Sequence, residues 1–156
     1  MSIKQFGVLV ETLDMSQRGL CIAHNLNKLI QEDDGYDPIV FFQKYGYNPI
    51  NKLFAMMQEV EVIDFPHPVI ALSLSLANRL LNTAVPSRRL FYVMDLEWLY
   101  LETLIYEEVS EIYCNDKIEL IARSDSHAKL LTECWKEPIA VIQDFNYLEI
   151  QKILGE

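Results

Sequence analysis

The stretch FGVLVETLDMSQRGLCIAHNLNKLI, residues 6–30, decides the fold. Phe6 to Val10 is an apolar run of strand length, and Ile22, Leu26, Leu29 and Ile30 then recur with the period of a helix. A strand followed by a helix is the unit this predicts. Gly35 and Asp37-Pro38 break the chain before Ile39 to Phe42, a second apolar strand. Asn48-Pro49 then has the form of an N-cap and a first-turn proline for a helix carrying Ile50, Leu53, Phe54 and Met57.

The unit repeats along the rest of the chain. Val60 to Ile63, Val69 to Leu72, Leu90 to Met94, Ile118 to Ala122 and Ile139 to Ile142 read as strands. Between them lie helical patterns: Leu76, Ala77, Leu80 and Leu81; Trp98, Leu101, Ile105 and Val109; and Ala128, Leu131 and Trp135 behind a cap at Ser124. Asn146 and Glu149 have capping-box spacing for a last helix. Strands apolar at consecutive positions are buried on both faces, and helices are the usual crossovers between parallel neighbours. The sequence therefore predicts one α/β domain over residues 1–156, an open, mostly parallel sheet of about seven strands with helices on both faces.

Composition narrows the function. The chain has 156 residues, 51% of them hydrophobic and 23% charged, which suits one folded domain with its own core. Its net charge of −10 repels phosphate and argues against general binding to duplex DNA. The N-terminus enters a strand with no basic leader, and no apolar run reaches membrane-spanning length, so a cytoplasmic protein without membrane insertion is expected. Cys21, Cys114 and Cys134 lack CxxC spacing and read as buried thiols of a reducing compartment.

Ligands of open parallel sheets bind beyond the carboxyl ends of the strands. The residues there are Glu11, Thr12, Asp14, Ser16, Arg18 and Gly19 after the first strand, then Gln43 and Lys44, Asp64 and His67, Ser73 and Ser75. Asp95 and Glu97 follow the fifth strand, Arg123, Ser124 and Asp125 the sixth, and Gln143 and Asp144 the last. Loop ends are polar in every α/β protein, so position alone marks none of them as functional. The ligand-binding candidates are Glu11, Asp14, Ser16, Arg18, Gly19, Ser124 and Asp144. Asp95 and Glu97 are the general-base candidates, because Trp98 beside them is an apolar surface able to raise a carboxylate pKa, although acids in a first helical turn have the same look.

The motifs of common cofactors are missing: there is no GxGxxG, P-loop or GxSxG elbow, and His24, His67 and His127 have no metal-ligand spacing. Neither a cofactor nor a metal is expected. A receiver-like signalling domain, suggested by Asp64 with Glu11 and Asp14, lacks its lysine after the fifth strand, where Asp95 stands. Tyr36, Tyr45, Tyr47, Tyr100, Tyr106 and Tyr147 read as exposed, and tyrosine is enriched at interfaces, so self-association across the strand-end crevice is expected.

Three segments resemble the N-terminal, acceptor-side Rossmann-like domain of GT-B fold glycosyltransferases. Arg88-Arg-Leu-Phe-Tyr-Val-Met-Asp-Leu-Glu-Trp-Leu99 resembles a strand and loop of that domain. Asp116 to Ser124, followed by a helix and then Pro138 to Asn146, resembles its end, and Arg18-Gly19 its glycine-containing first loop. The resemblance implies that Ser16, Arg18 and Gly19 with Asp95 and Glu97 face a sugar acceptor. Members of the family bind the nucleotide sugar on a second domain, whose E-x7-E type motif has no counterpart here. It therefore implies a half domain that needs a second polypeptide, or a second copy, for sugar transfer; a non-catalytic binding or assembly module derived from such an enzyme is the alternative.

Overall fold

The computed structural model describes residues 3–33, 35–102 and 105–155. Seven strands form one sheet: β1 (Lys4–Val10), β2 (Tyr36–Phe42), β3 (Ala55–Gln58), β4 (Val69–Ala71), β5 (Arg89–Val93), β6 (Glu119–Ala122) and β7 (Ala140–Val141). Their order is β3-β2-β1-β4-β5-β6-β7, and every neighbouring pair is parallel. The helices are α1 (Gln17–Glu32), α2 (Leu74–Leu81), α3 (Tyr106–Tyr113), α4 (Asp125–Cys134) and α5 (Tyr147–Gly155). This is a Rossmann-like three-layer α/β domain.

Alternation along each strand builds two cores. Phe6, Val8 and Val10 of β1, Val40 and Phe42 of β2 and Tyr92 of β5 face α1 and α5, where Leu26, Leu29, Ile150 and Ile153 are buried. Leu9, Phe41, Ala71, Phe91, Val93 and Leu120 face the other way, against Leu76 and Leu80 of α2, Val109 and Tyr113 of α3 and Leu131 of α4. Serines start three of the helices: Ser16, Ser73 and Ser124 accept the amides of Gly19, Leu76 and His127. Asn146 accepts the Leu148 and Glu149 amides at the start of α5, where its spacing put a cap.

Five expectations give way to the structure. No helix forms at Ile50 to Met57: Asn48 is buried, and its side chain donates to the Asp14 and Gly19 carbonyls and accepts the Ile50 amide. Asn27 of α1 likewise binds the Leu53 amide and the Asn51 carbonyl, so these side chains replace the hydrogen bonds a helix would supply. The third strand is therefore Ala55–Gln58, and Val60 to Ile63 lies in a 3-10 helix (Glu59–Asp64) in which Val62 alone is buried. After β5 the chain makes only a short 3-10 turn (Glu97–Leu99), and α3 begins at Tyr106, leaving Leu101 and Ile105 exposed; Thr103 and Leu104 lie outside the described residues. The thiols are not buried either: Cys114 and Cys134 are exposed and Cys21 is half-buried. Tyr36 is buried against Phe6, whereas Tyr45, Tyr47, Tyr100 and Tyr106 are exposed.

Gly7 shows how tightly the central strand packs. A Cβ there would stand 2.9 Å from the Phe41 ring and 3.2 Å from Phe65. Overpacking of this kind costs about 1–3 kcal/mol, so Gly7→Val should lower the urea midpoint accordingly with an unchanged m-value. An unaltered midpoint would contradict the packing.

Candidate functional site

In the strand order, chain neighbours β1 and β2 lie to one side and β4 follows on the other side of β1, so the winding reverses between β1 and β4. The connections leaving their carboxyl ends diverge there and open a crevice. It encloses about 650 Å³, with Val10, Ile22, Leu72, Leu76 and Met94 as its apolar lining. Its polar wall is Glu11, Thr12, Asp14, Ser16, Gln17, Arg18, Cys21, Ser73, Arg123 and Asp144.

The first loop is held from two directions. The Ser16 hydroxyl and amide, the latter donating at 3.0 Å, keep the Asp14 carboxyl below the usual carboxylate range. Gly19 is the third residue of α1, and a Cβ on it would meet the Asp14 carbonyl oxygen at 2.3 Å. Gly46, in the β2–β3 connection, has equally little room against Thr12 and Asp14. Glycine is thus required by close backbone approach within the protein, and Gly19 supports the crevice from behind without lining it.

The opposite wall contains a strained turn. Asp144 and Phe145 have φ of 48° and 54°, the left-handed region that costs residues with a side chain about 1–3 kcal/mol each. Three side chains hold the turn. The Cys21 thiol donates to the Asp144 carbonyl at 2.8 Å and Asn25 donates to the same oxygen at 3.1 Å. Tyr92 donates its hydroxyl proton to the Ile142 carbonyl and accepts the Phe145 amide. Burial pushes the Tyr92 phenol up to about 12, so it remains a proton donor at neutral pH.

The structure distributes the sequence candidates unequally. Glu11, Asp14, Ser16, Arg18 and Asp144, although far apart in the chain, all line the crevice. Ser124 caps α4, shares a hydrogen bond with Ser126 and is not part of the wall. Asp95 and Glu97 part company. Asp95 forms an ion pair with Arg18, a residue of the wall, without itself lining the crevice. Glu97 accepts the Leu74 amide at 2.8 Å at the start of α2 and lines a second concavity. Burial, with Glu11 and Asp95 adding to it, raises the Glu97 pKa against the effect of that hydrogen bond.

Arg123 and Cys21 were not among the candidates. Arg123 directly follows β6, the strand-end signal that singled out Ser124, and among the described residues it makes no ion pair; its one hydrogen bond, to the Met94 carbonyl, is 3.5 Å long. Cys21 lies in the second turn of α1, where only the folded chain brings it to Asp144. Among the described residues no three His, Cys, Asp or Glu side chains gather as a metal site, and no helix is long and apolar enough to cross a membrane. No protein-family model, curated protein or solved structure matches the chain.

Two outcomes follow. Gly19→Ala forces the first loop away from α1 and should cost about 2–4 kcal/mol in denaturant titration. For Glu97 the folded-state pKa lies above the unfolded value, so ionisation costs stability, and this cost disappears as the pH falls through the folded pKa. Glu97→Gln should therefore be more stable than the parent at neutral pH, and its advantage should vanish by about pH 4. A constant difference across that range would exclude a raised Glu97 pKa.

Proposed function

We propose that the chain is an acceptor-side, glycosyltransferase-like domain that binds a neutral, hydroxyl-rich ligand of the sugar class in the β1/β4 crevice. The charge of the wall carries this reading: two arginines, Arg18 and Arg123, stand against the three carboxylates Glu11, Asp14 and Asp144. Such a wall is short of cation for a phosphate, yet it offers what hydroxyl groups use. Carboxylates accept their protons, and guanidinium groups donate to their oxygens. The apolar lining suits the C–H face of a sugar ring.

In this reading Asp95 is the base that takes a proton from the ligand's reacting hydroxyl, and Arg18 positions it. Glu97, committed to the α2 amide, is excluded from that role. Transfer from a nucleotide sugar requires a donor-binding domain, contributed by a second polypeptide or by a second copy over the crevice mouth; Met15, between the lining residues Asp14 and Ser16, is exposed, as are Tyr45 and Tyr47 on either side of Gly46. The Arg18–Asp95 pair also favours a second reading, a binding module without turnover, because it occupies the rim carboxylate.

Amide chemical shifts of the labelled protein test the proposal. Neutral mono- and disaccharides should shift the signals of residues 11–18, Arg123 and Asp144, while inorganic phosphate should not. Arg123→Ala should weaken saccharide binding by about tenfold, or roughly 1.4 kcal/mol, the usual scale for a charged hydrogen bond. Preferential binding of phosphate or of a nucleotide sugar in the crevice would overturn the reading. Asp95→Ala then separates its two forms: an acceptor domain keeps binding and loses transfer with its partner, whereas a binding module shows no transfer with either chain.

A further inference from the structure

A second concavity, of about 490 Å³, lies between α2 and α3, the helices covering the sheet face opposite α1. Leu74, Leu101, Val109 and Ile112 give it an apolar lining, and Glu97, Glu108 and Glu111 line it as well. The connection that carries Leu101 towards α3 also exposes Leu99, Tyr100 and Ile105, at 65%, 59% and 53% of their full surface. A monomeric domain rarely leaves so many large apolar side chains together in solvent.

This surface is backed by a packed aromatic cluster. Tyr106 packs on Trp135 with centroids 5.6 Å apart, Trp135 stacks on Tyr113 at 5.7 Å, and Trp98 meets both edge-on. Tyr113 is fully buried, and among the described residues its hydroxyl has no hydrogen-bond partner; burial, with Glu97 and Tyr100 adding to it, raises its pKa.

Charge selects the occupant. From Asp95 to Asp116 the sequence carries Asp95, Glu97, Glu102, Glu107, Glu108, Glu111 and Asp116 and no lysine or arginine. Among the described residues only Asp95 of this set has an ion-pair partner. A second copy docking by the same face would oppose carboxylate to carboxylate, and nucleic acid or an anionic membrane would be repelled in the same way. We infer that the α2–α3 groove is the docking site for a basic amphipathic helix of a partner protein, whose apolar face covers Leu101 and Ile105 and whose lysines or arginines meet Glu108 and Glu111. Helix-in-groove recognition has this form, with anchors along one helix face and flanking charges setting specificity. The inference is independent of the crevice, which opens elsewhere and shares no lining residue with the groove.

The probe is a designed amphipathic peptide of leucine and lysine, compared with a leucine and glutamate peptide of equal length. Trp98 and Trp135, the two tryptophans of the chain, report occupation by fluorescence. The full-length protein should bind the lysine peptide with a change in tryptophan emission and should not bind the glutamate peptide. The double reversal Glu108→Lys/Glu111→Lys should weaken binding by about tenfold or more, as loss of two attractive pairs predicts. Leu101→Asp should weaken it too, whereas Asp64→Lys/Glu137→Lys, elsewhere on the surface, should leave it within about twofold. Equal losses from both double reversals would reduce the effect to net charge and overturn the inference, as would equal binding of the two peptides. A homodimer abolished by Leu101→Asp would overturn it in favour of a second copy.

Discussion

The domain depends on a reversal of winding about β1. The central strands of the seven-stranded parallel sheet are buried on both faces, so each crossover must carry its chain over one face or the other. From β1 the chain builds outward to β3, then returns through a 3-10 helix whose Val62 packs on the far face, and starts again at β4. The reversal directs α1 and α2 to opposite faces and leaves the space above β1 and β4 unfilled. Everything in the crevice follows from this separation: an apolar base contributed by strand ends, and a polar wall contributed by loops that have no other place to go.

Two structural demands meet in that wall. The first loop must pass close enough to α1 and to the β2–β3 connection that Gly19 and Gly46 can bear no side chain, and Asn48 is buried to bridge Asp14 to Gly19. The turn at Asp144 and Phe145 must hold two left-handed residues, which Cys21, Asn25 and Tyr92 secure. Strain of this kind persists only where surrounding contacts over-determine it, and such places are commonly ligand sites. Loop and turn present carboxylates to one space from opposite ends of the chain, and Arg123, which forms no ion pair among the described residues, lines the same space. It is on that balance that the proposed neutral polyol ligand rests.

Much of the fold was legible because its signals are local. Phe6 to Val10, Leu90 to Met94 and the serine caps at Ser73 and Ser124 declare themselves by apolar runs and by spacing. The β2–β3 connection was not legible, because Asn48-Pro49 opens a helix only if no other partner claims the backbone, and here Asn27 and Asn48 claim it. The brief strand Ala55–Gln58, with no β-branched or aromatic residue, is specified by pairing with β2 and not by its own propensity. The strand-end rule found Glu11, Asp14, Ser16, Arg18 and Asp144. It did not separate Arg123 from Ser124, adjacent residues of which one enters the crevice and the other caps a helix. Nor did it part Asp95 from Glu97, since the distinction lies in which way each side chain turns after a strand of the same phase.

The most direct test of the central claim is a crystal structure of the protein grown with a disaccharide at high concentration. The account predicts sugar density between the ends of β1 and β4, with hydroxyls within hydrogen-bond distance of Arg123 and of the Asp14 or Asp144 carboxylate. Sugar bound elsewhere, with the crevice closed by a shift of the first loop against α2, would contradict it.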